Sequence, residues 1–187
     1  AMTASSGPGI ALKQELLGYG YIAEIPVVVA NVQRGGPSTG LPTKVSQADV
    51  MQAKWGCNGD HATIAYAPCS VQECYELTVK AFNMAERFRQ PVLVLADEVI
   101  GHMREKIVIP EAGTFAVKDR KKPTVSHEEF VPYRADEDGV PPMPAFGDGY
   151  RWHVTGLTTN EWGFPTNDAP DIDLKANRII SKVDRFR

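Results

Sequence analysis

The chain has 187 residues, of which 43% are hydrophobic and 23% charged, an ordinary composition for a globular domain with a sizeable core. Its net charge is −3 and its pI is near 5.8, so we expect no nucleic-acid-binding surface, which would need a basic excess. No run of about 20 apolar residues predicts a membrane span, and three cysteines without a disulfide pattern favour a reducing compartment, by default the cytoplasm.

The first residues predict a strand that runs directly into a turn. Residues 1–5 have the pattern of the second half of a buried strand, so we expect a domain that is incomplete at its N-terminus. Ser6–Gly9 form a turn, and Pro8 suits the first turn of the following helix, Ile10–Tyr21. Three apolar side chains of this helix are expected near one face: Leu12, Leu16 and Tyr19.

Strands and helices are predicted to alternate up to about residue 97. Apolar runs rich in β-branched residues predict three more strands, at Pro26–Val32, Thr63–Ala67 and Val92–Ala96. A polar helix, Gln47–Trp55, and a helix opened by the capping box Ser70–Glu73 and stopped by Pro91 lie between them. This order predicts an α/β fold: a parallel sheet with helices on both faces and ligands beyond the carboxyl ends of the strands.

The composition and the hydrophobic periodicity of the chain change after Ile109. Eight of the fourteen prolines fall between residues 110 and 170, and regular periodicity disappears there. We therefore divide the chain into an α/β region, residues 1–109, and an irregular excursion with a terminal surface helix, residues 110–187. Asp171–Arg187 is the predicted extent of that helix.

The loop Gln33–Thr43 is the most informative stretch, because a long polar loop directly after a buried strand is common at functional sites. Arg34 offers a planar fork that matches a carboxylate, and Gly35 lets the backbone approach a ligand closely. Hydroxyls are available from Ser38, Thr39 and Thr43. The turn Ser5–Gly9 could likewise bring backbone N–H groups to a ligand, or be a simple tight turn. The alternative for Arg34 is a solvated surface cation.

Other polar residues carry weaker signals. Asp60 and His61 fit a packed turn as well as a catalytic pair. The three cysteines have the wrong spacing for zinc or an iron–sulfur cluster, and no metal site is expected in this chain. Asp97–Glu98 could do acid–base chemistry, but capping a helix or forming an interface ion pair is the preferred interpretation. The residues alone thus predict an α/β domain that binds a small carboxylate or phosphorylated ligand.

A set of segments spread over the whole chain indicates a family more specifically than any single motif does. They are Thr3–Gly9, Gln33–Lys44, Gly59–His61, Asp97–Glu105, Trp152–Leu157 and Gly163–Pro165. Together they resemble the α subunit of 2-oxoacid:ferredoxin oxidoreductases, most closely the 2-oxoglutarate type. The glycine-rich loop with its Leu-Pro-Thr-Lys tail is the most specific of them.

The resemblance implies the pyrimidine-binding domain of a thiamine diphosphate enzyme. The expected activity is oxidative decarboxylation of 2-oxoglutarate to succinyl-coenzyme A with reduction of ferredoxin. Thiamine diphosphate would be shared with a β subunit, which is expected to carry Mg²⁺ and an iron–sulfur cluster, and coenzyme A would be a substrate. The upstream glutamate that protonates the aminopyrimidine and a domain after residue 187 are expected outside this chain.

The resemblance also implies roles for individual residues. Arg34 would bind the 1-carboxylate of the 2-oxoacid, and Gly35–Lys44 would line the substrate pocket through Ser38, Thr39 and Thr43, with Lys44 at the distal carboxylate. The cofactor-binding residues would be Ser6, Gly7, Pro8 and Gly9. No catalytic residue is identified in this chain. Two alternatives remain open: an oxidoreductase for a branched-chain, aryl or pyruvate-type 2-oxoacid, and a non-catalytic scaffold fragment.

Overall fold

The structure, a computed structural model, describes residues 1–184, which contain one four-stranded parallel sheet. The strands are β1 (Met2–Ser5), β2 (Val27–Gln33), β3 (Ile64–Tyr66) and β4 (Pro91–Asp97), in the spatial order β1-β2-β4-β3. The helices are α1 (Pro8–Ala11), α2 (Gln14–Ile22), α3 (Val50–Trp55), α4 (Val71–Phe88), α5 (Glu98–His102) and α6 (Ala169–Asp184). No helix among the described residues is both long and apolar enough to cross a bilayer.

Helices cover both faces of the sheet, as predicted. Successive side chains of a strand point to opposite faces. Val28 packs against α4, where Ala81 and Ala85 are fully buried. The next residue of β2, Val29, packs on the other side against Leu17 and Tyr21 of α2. The two central strands, β2 and β4, therefore form the core of an α/β sandwich.

Three local predictions from the sequence were wrong in detail. Within residues 1–184, β1 is an edge strand that pairs with β2 alone, and its residues alternate between exposed and half-buried, so it is not the buried strand that was predicted. The helix predicted over Ile10–Tyr21 is interrupted between α1 and α2, and Leu12 and Leu16 are 83% and 65% exposed. The polar helix begins at Val50 and not at Gln47, because the residues before it belong to the preceding loop.

Regular secondary structure is sparse in the excursion. Residues 103–168 contain no helix or strand in the described chain, apart from an isolated bridge between Thr159 and Pro165. The helix after it, α6, packs one face into the protein, with Ile179 and Val183 among its buried residues. One buried face with the other residues more exposed is the usual arrangement of a surface helix, and the predicted end at Arg187 lies outside the described residues.

A buried ionic cluster joins α6 and the excursion to the sheet. We define it as Glu24, Arg89, Arg178 and Lys182. Glu24, which lies just before β2 and is 0% exposed, accepts a hydrogen bond from Lys182 Nζ at 2.9 Å and pairs with Arg178. Arg89, just before β4, donates to the carbonyl of Glu24 at 3.3 Å, and to three proline carbonyls of the excursion: Pro132, Pro141 and Pro142.

The charge state of Glu24 follows from this cluster. Burial by itself raises the pKa of the carboxyl, but attraction by Lys182, Arg178 and Arg89 outweighs burial and holds the pKa well below its ordinary value of 4.5. Because the folded-state pKa is depressed, the stabilisation is complete above the unfolded-state pKa and is lost as the pH falls through strongly acid values. Near neutral pH the cluster therefore contributes fully to folding.

We predict that Glu24→Gln destabilises the chain by about 3–5 kcal/mol, because it leaves buried cations without their counter-charge. Urea unfolding followed by circular dichroism measures the change. The matched control is Glu161→Gln, which removes the exposed carboxylate paired with Arg134 at 2.7 Å and should change stability far less. Equal effects of the two substitutions would contradict the role given to the cluster.

Candidate functional site

The turn after β1 and the loop after β2 meet at the carboxyl edge of the sheet and enclose a cavity of about 500 Å³. We call it the carboxyl-edge cavity. Its walls come from the turn, from the loop and from the start of α3. The lining residues are Gly7, Pro8, Ala11, Arg34, Gly35, Gly36, Pro37, Ser38, Ala48, Asp49 and Gln52. A cavity at this edge is where open parallel sheets bind their ligands.

Arg34 supplies positive charge to this cavity. It follows Gln33, the last residue of β2, whose backbone is fixed by pairing with Asp97 of β4. The Nε atom of Arg34 is buried and without a partner, and the side chain forms no hydrogen bond or ion pair with any residue in the range 1–184. An unpaired guanidinium on a rigid strand end is well suited to bind a carboxylate.

Gly7 makes room for this guanidinium. Its φ of +46° is a conformation that other L-residues rarely adopt. A Cβ atom added at Gly7 would lie 2.7 Å from Arg34 Nε and 3.1 Å from Cζ. The arginine therefore lies directly against the glycine backbone, so the turn after β1 and the residue after β2 form a single unit.

The loop after β2 is closed by its own backbone. Leu41 N donates to Gly35 O at 2.8 Å, and the two residues form an isolated antiparallel bridge. Gly40 has φ +56°, and a Cβ there would collide with the carbonyl of Gly35. Further along, the side chain of Gln47 donates to Asp97 at the end of β4. The loop is thus held at both ends, which keeps the cavity wall in place.

The structure brings together only some of the residues that the sequence nominated. The carboxyl-edge cavity is lined by Gly7, Pro8, Arg34, Gly35 and Ser38. Outside its lining are Ser6, Gly9, Thr39, Thr43 and Lys44. Thr39, Thr43 and Lys44 are exposed on the loop. Gly9 packs against Ser5, since a Cβ at Gly9 would collide with the Ser5 hydroxyl.

Sequence reasoning missed the contribution of α3. Asp49, which precedes the first turn of α3, lies in the cavity wall with Gln52. Asn31 of β2 is fully buried, and its Nδ2 donates to Asp49 Oδ2 at 3.5 Å, while its Oδ1 has no partner among residues 1–184. A signal was available, since an Asp at the start of a polar helix directly after the nominated loop has to lie near that loop.

Two of the other nominated polar residues, His61 and Asp97, are not among the residues that line this cavity, and both have structural contacts. His61 stacks on Tyr21 with ring centroids 4.3 Å apart, and its Nε2 lies 3.4 Å from Cys57 Sγ. Burial raises the pKa of the Cys57 thiol. Asp97 accepts from Val99 N at 3.0 Å and so caps α5, as preferred. Between residues 1 and 184 no group of three or more His, Cys, Asp or Glu side chains is placed to hold a metal ion.

We predict that Gly7→Ala destabilises the chain by about 1–3 kcal/mol, because it strains the positive φ and pushes on Arg34. Gly18→Ala is the matched control: an added Cβ there has its nearest neighbour at 3.6 Å, and alanine favours the helix. Urea unfolding of both variants gives the two free energies. If Gly7→Ala unfolds like the wild type, the contact with Arg34 does not constrain the turn.

Comparison with known proteins agrees with this geometry. Residues 1–178 match the family described as pyruvate flavodoxin/ferredoxin oxidoreductase, thiamine diphosphate-binding. The chain is 54% identical over 187 residues to the "2-oxoglutarate synthase subunit KorA" of Methanothermobacter thermautotrophicus, covering 100% of the chain and 49% of that relative. It is 49% identical over 183 residues to the protein of the same description from Methanocaldococcus jannaschii, covering 98% and 49%.

A solved structure matches the fold over the whole chain. It is a 2-oxoglutarate:ferredoxin oxidoreductase from Magnetococcus marinus with 2-oxoglutarate, coenzyme A and succinyl-coenzyme A bound. Its TM-score is 0.87 at 35% sequence identity, covering 100% of this chain and 33% of the other. The chain spans about half the length of the curated relatives it matches. These similarities, with the parallel sheet and its carboxyl-edge cavity, show that the chain belongs to the pyruvate flavodoxin/ferredoxin oxidoreductase family, within its thiamine diphosphate-binding region.

Proposed function

We propose that this chain forms one wall of the active site of a 2-oxoglutarate:ferredoxin oxidoreductase. The reaction would convert 2-oxoglutarate and coenzyme A to succinyl-coenzyme A and CO₂ while reducing ferredoxin. The observation that carries the proposal is the unpaired guanidinium of Arg34, held against Gly7 in the carboxyl-edge cavity. The relatives' names and the 2-oxoglutarate bound in the Magnetococcus enzyme support the choice of substrate.

In this proposal Arg34 binds and orients the 1-carboxylate of the 2-oxoacid. The guanidinium is half-buried, which strengthens a charge-assisted contact relative to one in open water. Ser38 lies in the same wall and can donate its hydroxyl hydrogen to a substrate oxygen. Donors fixed in this way hold the substrate in one orientation relative to the cofactor. Less orientational entropy then remains to be lost when the two react.

The cavity also fits the pyrimidine side of thiamine diphosphate, the cofactor that supplies the decarboxylation chemistry when bound. Asp49 and Gln52 in the cavity wall offer polar atoms to the substituents of a planar ring. From the family resemblance we infer that a β subunit completes the site and carries Mg²⁺ and an iron–sulfur cluster. We also infer a cytoplasmic location, consistent with three free cysteines.

The identity of the 2-oxoacid is the less constrained part of the proposal. Lys44 remains our candidate for the distal carboxylate of 2-oxoglutarate, but it is exposed and outside the lining of the carboxyl-edge cavity. Among the residues that line this cavity, Arg34 is the one cation. A single cation also suits a 2-oxoacid with one carboxylate, which keeps branched-chain, aryl or pyruvate-type substrates as the alternative.

We predict that Arg34→Ala in the complete oxidoreductase lowers kcat/KM about ten- to hundredfold for every 2-oxoacid, because all of them carry the 1-carboxylate. Steady-state assays with a viologen acceptor, using 2-oxoglutarate and pyruvate in parallel, measure this loss. Arg151→Ala, which removes an exposed arginine without described partners, is the control. An unchanged kcat/KM for both substrates would show that Arg34 does not bind the carboxylate.

The same assay decides the role of Lys44. If Lys44 binds the distal carboxylate, Lys44→Ala lowers kcat/KM for 2-oxoglutarate and leaves pyruvate nearly unchanged. An equal loss for both substrates would assign Lys44 to support of the loop. No loss for either would rule out Lys44 as the residue that binds the distal carboxylate.

A further inference from the structure

A second cavity lies between α2 and α6 and has a volume of about 370 Å³. We call it the α2–α6 cavity. The proposed function does not use it, and Arg34 and the glycine-rich loop are not among its lining residues. Its apolar walls are formed by Ile22 of α2 and by Ile172 and Ile179 of α6. A cavity of this size, with apolar walls and a few polar groups, has the character of a small-molecule site.

Lys175 is the unusual group in this cavity. Its side chain is only 3% exposed, and its Nζ donates to the hydroxyl of Thr159 at 2.6 Å and lies 4.7 Å from the ring centroid of Tyr133. Within residues 1–184 it forms no ion pair with a carboxylate. Lys175 lines the cavity, and its ammonium, with one hydrogen bond and one ring contact, retains N–H groups without a described partner.

The neighbouring charges do not compensate Lys175. Glu24 is the one carboxylate of the buried ionic cluster, and Lys182 and Arg178 already occupy its two oxygens. Burial lowers the pKa of Lys175 to about 8, since the attraction of Glu24 is opposed by Arg178, Arg89 and Lys182. An anion bound beside Lys175 would therefore supply a counter-charge that the described protein lacks.

The mouth of the α2–α6 cavity carries the opposite charge. Glu15 and Asp60 both line it, both are exposed, and neither forms a hydrogen bond or ion pair with another residue of the described range. A simple anion would be attracted by the inner lysine and repelled by the outer carboxylates. A ligand carrying both charges satisfies both ends, and its apolar part can pack on Ile22 and Ile172.

We propose that the α2–α6 cavity binds a small zwitterion of the amino-acid class, with its carboxylate at Lys175 and its ammonium group towards Glu15 and Asp60. Two functions would then be separated in space: the carboxyl-edge cavity for the 2-oxoacid, and the α2–α6 cavity for an amino-containing ligand. Binding in the second cavity would also brace α6 against α2, since both helices contribute to its walls.

Isothermal titration of the 187-residue chain with L-leucine tests the proposal. Two analogues serve as matched probes: 4-methylpentanoate, which lacks the ammonium group, and 3-methylbutylamine, which lacks the carboxylate. We expect L-leucine to bind with a Kd of about 1 mM or below and each analogue to bind about tenfold more weakly or worse. No binding of L-leucine at about 10 mM would overturn the proposal, as would equal binding of all three compounds.

Two further measurements locate the site. Lys175→Met should weaken L-leucine binding about tenfold or more, whereas Lys118→Met, which removes an exposed lysine, should leave it unchanged. Reductive methylation of the unmodified chain, mapped by mass spectrometry, needs no variant to fold. We expect L-leucine to slow methylation of Lys175 and not of Lys118. Unaltered methylation of Lys175 at a saturating L-leucine concentration would overturn the assignment.

Discussion

The buried carboxylate of Glu24 fixes how the two halves of this chain fit together. It lies at the amino edge of the sheet, just before β2, and takes Lys182 and Arg178 of α6 as partners. Arg89, just before β4, extends the same cluster to carbonyl groups of the excursion. Glu24 and Arg89 both adopt positive φ, a conformation that persists when surrounding contacts determine it. A region without regular structure is thereby held on the sheet.

The carboxyl edge of the sheet differs from the amino edge in how its charged groups are paired. At the amino edge the charges are mostly paired within the chain, which favours stability. At the carboxyl edge Arg34 remains without a partner in the described residues, although its Nε atom is buried, and Gly7 keeps an uncommon backbone conformation beside it. Unsatisfied groups and uncommon conformations are costly, and proteins retain them chiefly where a ligand or partner makes use of them.

The sequence predicted the parallel sheet and the position of Arg34 at its carboxyl edge, because both depend on local patterns. A buried run such as β2 has its own composition, and a glycine-rich loop after it is visible in the chain itself. The position of Asp49 in the cavity wall depends on how α3 packs, and the partners of Glu24 lie more than 150 residues further along the chain. A pairing at that separation leaves no periodic signal. The break before α2 was missed because Leu12 and Leu16 fit a continuous helix equally well.

The central claim is that this chain supplies one wall of a site that a second subunit completes. Calorimetric titration with thiamine diphosphate and Mg²⁺, on the chain alone and after addition of the β subunit, tests it most directly. We predict weak or no binding to the chain alone and tight, Mg²⁺-dependent binding to the pair. Tight, Mg²⁺-dependent binding to the isolated chain would contradict a shared site.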